Sequence, residues 1–371
     1  MHKNDHLLND LPMSRLTIKQ PGIYVQNINS QPQPIEGLST STVGFLGETQ
    51  FGPNTPTLIT SWLQFQNIFG YYFGEDKYLP YSVEGFFLNG GKRCYVCKVT
   101  DYDYASALAK LEAIEEVSIV YAPNVQAVEG LTNALVDHCE RLRNRFAILD
   151  SVKDQNISSV AKPRDSSAAA LYYPWIYVKE NGTGQSCLVP PGGHVAGIYA
   201  RTDIEKGVNK TPTNQIVRGA VDIELSMKSH QQESLNLQGI NCIRNFPGKG
   251  IMVWGARTLS NDPTKKYVNV CRFMIYLEQS IKKGTMWTVF EPNTEATWTK
   301  IKATIENFLT QTWRNGMLMG TSQQEAYFIK CDRTTMTQND LDNGRINVLI
   351  GIAPTKPAEF IILRISQIAQ P

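Results

Sequence analysis

A few short motifs in this sequence contain residues whose types and spacing could carry out chemistry. Cys94 and Cys97 form a lone CxxC motif, a spacing that binds metals or supports redox chemistry in other proteins. The motif lies in a predicted strand, where residues three positions apart point to opposite faces. The sequence contains no second CxxC motif and no spaced histidine pair that would complete a zinc site. We therefore predict structural roles for both cysteines.

The histidines provide two further candidates. His194 lies in the segment PPGGHVAGIYAR, and a loop of this composition could carry a functional residue. No GxSxG motif or other nucleophile signature accompanies it. His138 and Cys139 are neighbours in a predicted helix, and neighbours on a helix do not face each other. We interpret His138 as a residue of the helix surface and Cys139 as a buried thiol.

The sequence lacks the common phosphate-binding motifs. It contains neither a P-loop nor GxGxxG, and the nearest match, PGKG at residues 247–250, is predicted to be a turn between two strands. Asp101 and Asp103 could hold a cation, but they are predicted to lie in a solvated loop. We therefore expect no cofactor, no metal and no enzymatic activity. An α/β hydrolase that uses His194 stays open as an alternative.

Length and composition indicate a globular protein with more than one domain. The 371 residues exceed the length at which one core stops growing, and 42% hydrophobic with 19% charged residues excludes a disordered or collagen-like chain. With 36 basic and 34 acidic residues, the net charge of +2 does not favour nucleic-acid binding. We recognise no membrane-spanning run and no secretory signal, and seven cysteines, an odd number, are typical of a reducing cytosolic compartment.

The elements that must position these residues follow from the hydrophobic pattern. Between residues 42 and 178, apolar strands alternate with amphipathic helices over residues 105–116 and 124–143, which predicts a mainly parallel α/β sheet. The predicted strands are residues 43–47, 94–99, 117–121, 146–149 and 171–178. Residues 182–212 are rich in glycine and proline and are predicted to be a long irregular connection between two domains.

The last third of the chain has the pattern of an α+β domain. Two helices are predicted, over residues 265–283 and 294–315, the second with Gly316 as its C-cap. The predicted strands are residues 241–246, 251–256, 286–290, 326–331, 346–352 and 359–365. The first of the two helices is basic, since Glu278 is its only acidic residue. Its basic residues are Lys265, Lys266, Arg272, Lys282 and Lys283.

Short segments along most of the chain carry a more specific signal. In the first half they are PGIYV (residues 21–25), IEGLSTST (35–42), FFLNGG (86–91), CYV (94–96) and PPGGHVAGIYAR (190–201). In the second half they are GIN (239–241), VWGARTL (253–259), YVNV (267–270), FEPN (290–293), CDRTTMT (331–337) and PAEFI (357–361). Together, over residues 20–366, they resemble the contractile tail sheath proteins of contractile phages and phage-like injection systems.

This resemblance implies a structural protein. Such sheath proteins form helical layers, stacked as hexamers, around an inner tube and contract to drive it through a target envelope. The implied fold is an N-terminal α/β domain, subtilisin-like but without catalytic machinery, and a C-terminal α+β domain that faces the tube. The implied partners are further copies of the chain, the tube protein, and baseplate and tail-terminator or cap proteins, with neither nucleic acid nor membrane insertion. Assembly in the cytoplasm of a bacterial host, followed by incorporation into a tail or injection particle, is implied as well.

The resemblance also gives a role to the two terminal segments, because arms of the family add strands to sheets of neighbouring subunits. We expect an arm at residues 1–28, domains at 29–215 and 216–356, and a second arm at 357–371. The predicted donor residues are Ile18, Ile23, Tyr24, Val25, Glu359, Phe360, Ile361, Ile362 and Leu363. The predicted tube contact is the basic helix, with Lys265, Lys266, Arg272, Lys282 and Lys283. Because the chain is short for this family, we expect a compact two-domain form. A baseplate or other assembly paralogue stays open as a second alternative.

Overall fold

The computed structural model describes residues 34–180, 182–357 and 359. The first eight strands are β1 Val43–Gly47, β2 Thr57–Ile59, β3 Cys94–Lys98, β4 Ile119–Tyr121, β5 Phe146–Asp150, β6 Ala169–Tyr173, β7 Ile176–Lys179 and β8 Ser186–Val189. The remaining strands are β9 Gln215–Ile216, β10 Ala220–Ile223, β11 Ile240–Phe246, β12 Gly250–Trp254, β13 Tyr327–Lys330 and β14 Leu349–Ile352. The helices are α1 Trp62–Phe69, α2 Leu79–Leu88, α3 Tyr104–Glu112, α4 Leu131–Leu142, α5 Gly192–Lys206, α6 Ser229–Leu237, α7 Val268–Gly284, α8 Glu295–Arg314, α9 Gln323–Ala326 and α10 Gln338–Asp342.

A nine-stranded sheet forms the centre of the larger part of the molecule. Its strand order is β2-β3-β1-β4-β5-β6-β11-β12-β9. The six strands from β3 to β11 run parallel, whereas β2, β12 and β9 are antiparallel to their neighbours. Every residue of β1, β5 and β6 is buried, as expected for parallel strands covered on both faces. The predicted α/β fold with a mainly parallel sheet is confirmed.

Helices cover both faces of this sheet. On one face, α1, α2 and α5 pack through Phe65, Phe86 and Ile198, and on the other face α3, α4 and α6 pack through apolar residues of their own. Cys94 belongs to the first hydrophobic layer and Cys97 to the second. The two cysteines of the CxxC motif therefore point to opposite faces of β3, as the strand geometry predicts.

The Gly- and Pro-rich segment of residues 182–212 is not the irregular connection that its composition predicts. It contains β8 and the 15-residue helix α5, which is buried over its first eleven residues. Glycines of this helix allow it to lie close to α2, since a Cβ at Gly197 would come within 2.5 Å of the backbone oxygen of Phe86. The glycines therefore serve helix packing rather than loop flexibility.

Three further predictions about local structure need correction. Residues 171–178 are not one strand, because β6 and β7 are separated by a cis Tyr173–Pro174 bond and β7 joins a second sheet, of order β10-β7-β8. Residues 286–290 form a 3₁₀ turn, Met286–Thr288, followed by a fully exposed Phe290, rather than a strand. The basic helix begins at Val268, so Lys265 and Lys266 precede it.

The smaller part of the molecule contains α7, α8 and a sheet of two antiparallel strands, β13 and β14. These elements share a separate hydrophobic cluster, which includes Phe273, Ile305 and Ile329. Strands β11 and β12 follow the predicted domain boundary at 215/216 in sequence, yet they belong to the nine-stranded sheet. The predicted domain limits otherwise stay predictions.

Candidate functional site

His194, the histidine singled out in the sequence, does not lie in a loop. It belongs to α5, its side chain is buried, and its ring lies against Gly85 of α2. Its Nδ1 has no hydrogen-bond partner, and burial lowers the pKa of its imidazole to about 4. A neutral ring that is closed off from solvent cannot receive a proton from a substrate. The geometry therefore gives no support to the hydrolase alternative.

His138 is not a surface residue either. The ring is buried, and its Nε2 lies 3.1 Å from Nη1 of the fully buried Arg145. Because an arginine can only donate, Nε2 accepts this hydrogen bond and the ring is neutral. Burial, together with the charges of Arg145 and Arg141, lowers the pKa of His138 to about 4. Cys139 is buried, as predicted, and its burial raises the pKa of its thiol to about 12.

The cysteines form neither disulfides nor a metal site. All seven are free thiols, and burial raises the pKa of Cys94 and of Cys97 above the ordinary value. Among the described residues, no group of three or more His, Cys, Asp or Glu side chains is placed to hold a metal ion. Within the same residues, no helix is long and apolar enough to cross a membrane.

One buried carboxyl group lies at the carboxyl edge of the parallel sheet, where α/β enzymes place their sites. Asp150 is the last residue of β5 and accepts hydrogen bonds from the Tyr121 hydroxyl at 2.7 Å, the Gly192 amide at 2.8 Å and the Asn124 amide at 3.2 Å. Burial raises its pKa to about 7, although these three donors counteract the rise. Because Gly192 begins α5, the carboxyl group caps that helix from its own chain. The sequence offered no signal for this role.

The basic residues predicted as a contact surface separate into two groups. Lys282 and Lys283 are exposed in the last turn of α7, and Lys265 is exposed before the helix. Arg272 is only 3% exposed, and its Nη2 lies 2.6 Å from Oδ2 of Asp203, whose side chain is equally buried. A guanidinium enclosed in this way cannot contact another protein, so its assignment to the surface is corrected.

Glu359 anchors the described part of the C-terminal segment to the body. The Glu359 carboxylate accepts two hydrogen bonds from Arg257, Nε to Oε1 at 2.8 Å and Nη2 to Oε2 at 2.7 Å. Lys266 Nζ at 3.2 Å and the Tyr267 hydroxyl at 3.1 Å donate to the same Oε2. Burial raises the pKa of Glu359, but the hydrogen bonds and charges of Arg257 and Lys266 outweigh burial and lower it below its ordinary value. Tyr267 is the N-cap residue of α7, so this anchor lies where α7 begins.

An apolar groove of about 450 Å³ runs between α7, α8 and β14. Its apolar lining includes Leu277, Ile281, Ile301, Ile305, Ile350 and Ile352. In the part of the chain that the structure describes, β13 and β14 pair only with each other, so each keeps one free edge. An apolar groove beside a free strand edge is a surface to which an extended segment can add.

Most of the predicted donor residues cannot be placed. Ile18, Ile23, Tyr24, Val25, Phe360, Ile361, Ile362 and Leu363 lie outside the described residues. Glu359 is described, and its side chain is bound to Arg257 of its own chain. The site that the structure defines is therefore the apolar groove together with the anchor of the C-terminal segment.

The comparisons with known proteins agree on one protein family. Residues 98–259 match the family model of the phage tail sheath protein central domain, and residues 260–368 match that of the phage tail sheath C-terminal domain. The chain resembles the contracted PVC sheath of an extracellular contractile injection system, at 30% identity and a TM-score of 0.83 over 95% of this chain and 99% of that one. It also resembles a chain of the anti-feeding prophage baseplate, at 31% identity and a TM-score of 0.79 over 94% and 99% of the two chains.

Curated relatives are more distant and longer. The tail sheath protein of Escherichia phage P2 is 24% identical over 70% of this chain, and that alignment spans 66% of the phage protein. The tail sheath protein of Vibrio phage KVP40 is 27% identical over 59% of this chain, and there the alignment spans 31% of the relative. This chain therefore aligns with less than two thirds of the length of these relatives.

Proposed function

Because this chain belongs to the phage tail sheath family, we propose that it is a structural subunit of a helical contractile sheath around an inner tube. In this role the sheath switches from an extended to a contracted state and drives the tube through a target envelope. The observation that carries the proposal is the similarity to the contracted PVC sheath, which extends over nearly the whole of both chains. The buried, neutral His194 and the burial of six of the seven thiols favour a role without catalysis.

Subunits are linked by strands that each copy donates to its neighbours. The groove between α7, α8 and β14 accepts the apolar C-terminal segment, residues 359–365, of a second copy, which pairs with the free edge of β14. The apolar lining of the groove and the run of Phe360, Ile361, Ile362 and Leu363 in that segment support this assignment. Five main-chain hydrogen bonds at about 1 kcal/mol each contribute about 5 kcal/mol, in addition to apolar burial. Because donor and acceptor are different surfaces, the contact repeats from copy to copy, and it propagates as a helix when the rotation between copies does not close a ring.

A mixing experiment tests strand donation. A chain cut after Lys356 keeps the groove but lacks the donor, whereas Ile350→Asp keeps the donor but places a charge in the groove. Both changes are made in a chain that lacks residues 1–28, the other predicted donor arm. In that background each variant alone is expected to stay monomeric at a concentration at which the same chain with an intact groove and C-terminal segment assembles, and an equimolar mixture is expected to form discrete pairs. A mixture that stays monomeric contradicts donation between copies and favours a segment that folds back into its own groove. Leu349→Asp, at an exposed position of β14, is the control for charge.

Lys282 and Lys283, in the last turn of α7, form the contact with the tube, whereas Lys265 lies before the opposite end of the helix. Their exposure and the net positive charge of this end of α7 support contact with an acidic surface. Exposed ion pairs are weak, typically below about 1 kcal/mol, which suits a contact that must release during contraction. Lys266 is partly engaged with Glu359, and Arg272 is enclosed, so neither is assigned to this contact.

A second candidate function is that of a baseplate or other assembly paralogue, which the match to a chain of the anti-feeding prophage baseplate favours. For either function, the partners are further copies of this chain, baseplate proteins and, at the far end, a terminator or cap protein. Assembly takes place in the cytoplasm of a bacterial host. Long tubes formed by the purified chain support the sheath, whereas closed rings support the paralogue.

A further inference from the structure

Residues 34–41, here called the strap, lie along one face of α7. Contacts recur at every fourth residue of the helix, at Gly284, Ser280, Tyr276 and Arg272, which is the spacing of a single helix face. Ile35 is 6% exposed, and a Cβ at Gly284 would come within 2.5 Å of its Cγ1. These contacts fix the strap over about three turns of helix.

Backbone groups of the strap are also bound along this face. The Leu38 amide donates to the Ser280 hydroxyl at 3.2 Å, and Gly37 lies directly against the Tyr276 ring, where a Cβ would clash with its hydroxyl. Pro34, Glu36, Gly37 and Ser39 are nevertheless exposed. The strap is therefore a surface segment that is held by a few specific contacts rather than by deep burial.

A buried ion pair, Arg272 with Asp203, binds the C-terminal end of the strap at Thr40. Nη2 of Arg272 donates to the Thr40 carbonyl at 2.8 Å, and the Thr40 hydroxyl donates to Oδ2 of Asp203 at 2.6 Å. Arg272 and Asp203 also form a bidentate pair, at 2.6 and 3.0 Å, and the guanidinium lies 4.8 Å from the centre of the Tyr199 ring. The cluster of Thr40, Arg272 and Asp203 is here called the lock. Because Asp203 belongs to α5, the lock joins the strap to both α7 and the central sheet domain.

The other end of α7 holds the C-terminal segment. Tyr267, the N-cap residue, and Lys266 before it bind Glu359, and Arg257 completes that anchor. The helix has 17 residues, which corresponds to about 25 Å. The chain segments that lead to both predicted arms are thus fastened to one rigid helix, at opposite ends of it.

We propose that the strap fixes the length of the connection between the N-terminal donor strand and the body, and that α7 joins the two inter-subunit connections of each copy. This inference rests on the proposed function. Six residues, 29–34, separate the predicted donor strand from the first docked residue, Ile35. Release of residues 35–41 would lengthen this connection by up to about 25 Å, at about 3.5 Å per residue. Neighbouring copies would then no longer hold one another at a defined distance.

The first part of the test measures docking in the full-length protein, through cleavage after Glu36 by a glutamate-specific protease and through hydrogen exchange of the Leu38 amide. Gly284→Val displaces Ile35 without removing a charge, and Thr40→Val removes one hydrogen bond of the lock without changing the shape of the side chain. Both variants are expected to raise the cleavage rate and the exchange rate at least ten-fold. Gln279→Val, which places the same β-branched side chain elsewhere on α7, is expected to leave both rates unchanged. Wild-type rates as fast as those of the variants would overturn the docked strap.

The second part compares the sheaths formed by these variants. Gly284→Val is expected to form sheaths in which rise and twist vary from layer to layer, so that helical averaging fails, whereas Gln279→Val sheaths are ordered like the wild type. A variant with a released strap and fully ordered sheaths would overturn the assigned length-setting role while leaving the proposed function in place. If the wild type forms no sheath, the proposed function and this role both fall, although the docking measured in the first part still holds.

Discussion

Replacing His194 with leucine tests whether this histidine is a buried packing residue or a group that exchanges protons with solvent. The ring is enclosed between α5 and α2, where it lies against Gly85, and burial lowers its pKa to about 4. Leucine is apolar and similar in volume, so it can occupy this space without a buried polar atom. The variant therefore isolates the titration of one side chain.

The size of the effect of His194 on the free energy of unfolding follows from the difference in its pKa between the folded and unfolded chains. An unfolded histidine titrates near ~6.5, so between about pH 6.5 and pH 4 the unfolded chain binds a proton at His194 that the folded chain does not. The free energy of unfolding therefore has its full value above pH 6.5 and falls as the pH decreases, by about 1.4 kcal/mol per pH unit. Over the whole interval the loss is about 3 kcal/mol, and His194→Leu removes it.

Urea unfolding at pH 7.5, 6.5, 5.5 and 4.5 measures the effect as the difference between wild type and variant. Titration of His138 and Asp150 cancels in this difference, because both proteins contain them. The raised pKa of Asp150 acts in the opposite direction, since its stabilising contribution is present at low pH and lost as the pH rises through about 7. Wild type and variant curves that stay parallel from pH 7.5 to 4.5 would refute the buried, neutral histidine and return His194 to the candidates for catalysis.

Three further predictions concern packing, the C-terminal anchor and the tube contact. Gly197→Val forces a side chain against the backbone of α2 and is expected to lower the free energy of unfolding by about 3 kcal/mol in urea, whereas valine at the exposed Glu205 of the same helix changes it by less than about 0.5 kcal/mol. Glu359→Gln weakens the bidentate pair with a buried arginine by about 2 kcal/mol and should raise hydrogen exchange in residues 353–357 about 30-fold; unchanged exchange would contradict the anchor. In the wild type this anchor is expected to be present above the ordinary pKa of glutamate, about 4.3, and to be lost as the pH falls through the lowered pKa of Glu359. Lys283→Glu is expected to lower co-sedimentation with the tube protein but not assembly of the sheath alone, because Lys282, which also lines the apolar groove, is left in place; co-sedimentation at the wild-type level would contradict the contact.

Periodicity was sufficient to predict the elements whose burial is simple. Strands such as β1 and β5 are continuous apolar runs because both of their faces are covered, and α8 shows a clear apolar face. The resemblance of short segments supplied the family and the function class. It could not supply the positions of individual side chains.

The predictions of local structure are wrong where the same amino-acid composition is typical of two different structures. The segment of residues 182–212, which contains α5, was interpreted as an irregular connection because glycine and proline are typical of turns, whereas in α5 glycine removes side chains between two packed helices. Residues 286–290 were interpreted as a strand because they are mostly apolar, although the first three of them form a 3₁₀ turn and the last, Phe290, is exposed. A local pattern does not distinguish burial inside a monomer from exposure on its surface.

Charged residues illustrate a further limit. Arg272 was assigned to a surface because it belongs to a predicted basic helix, yet its partner Asp203 lies 69 residues away in the chain. The anchor between Arg257 and Glu359 spans 102 residues. Such pairs are created by tertiary packing, so no window of sequence contains both members. The anchor and the lock of the strap were consequently found only in the structure.

Electron microscopy of the purified chain, alone and with its tube protein, shows directly whether the protein is a sheath subunit. We expect long hollow tubes with helical symmetry, in which each copy contacts its neighbours through terminal strands. Discrete particles under both conditions, at concentrations where the protein is folded, would contradict the assignment as a sheath subunit.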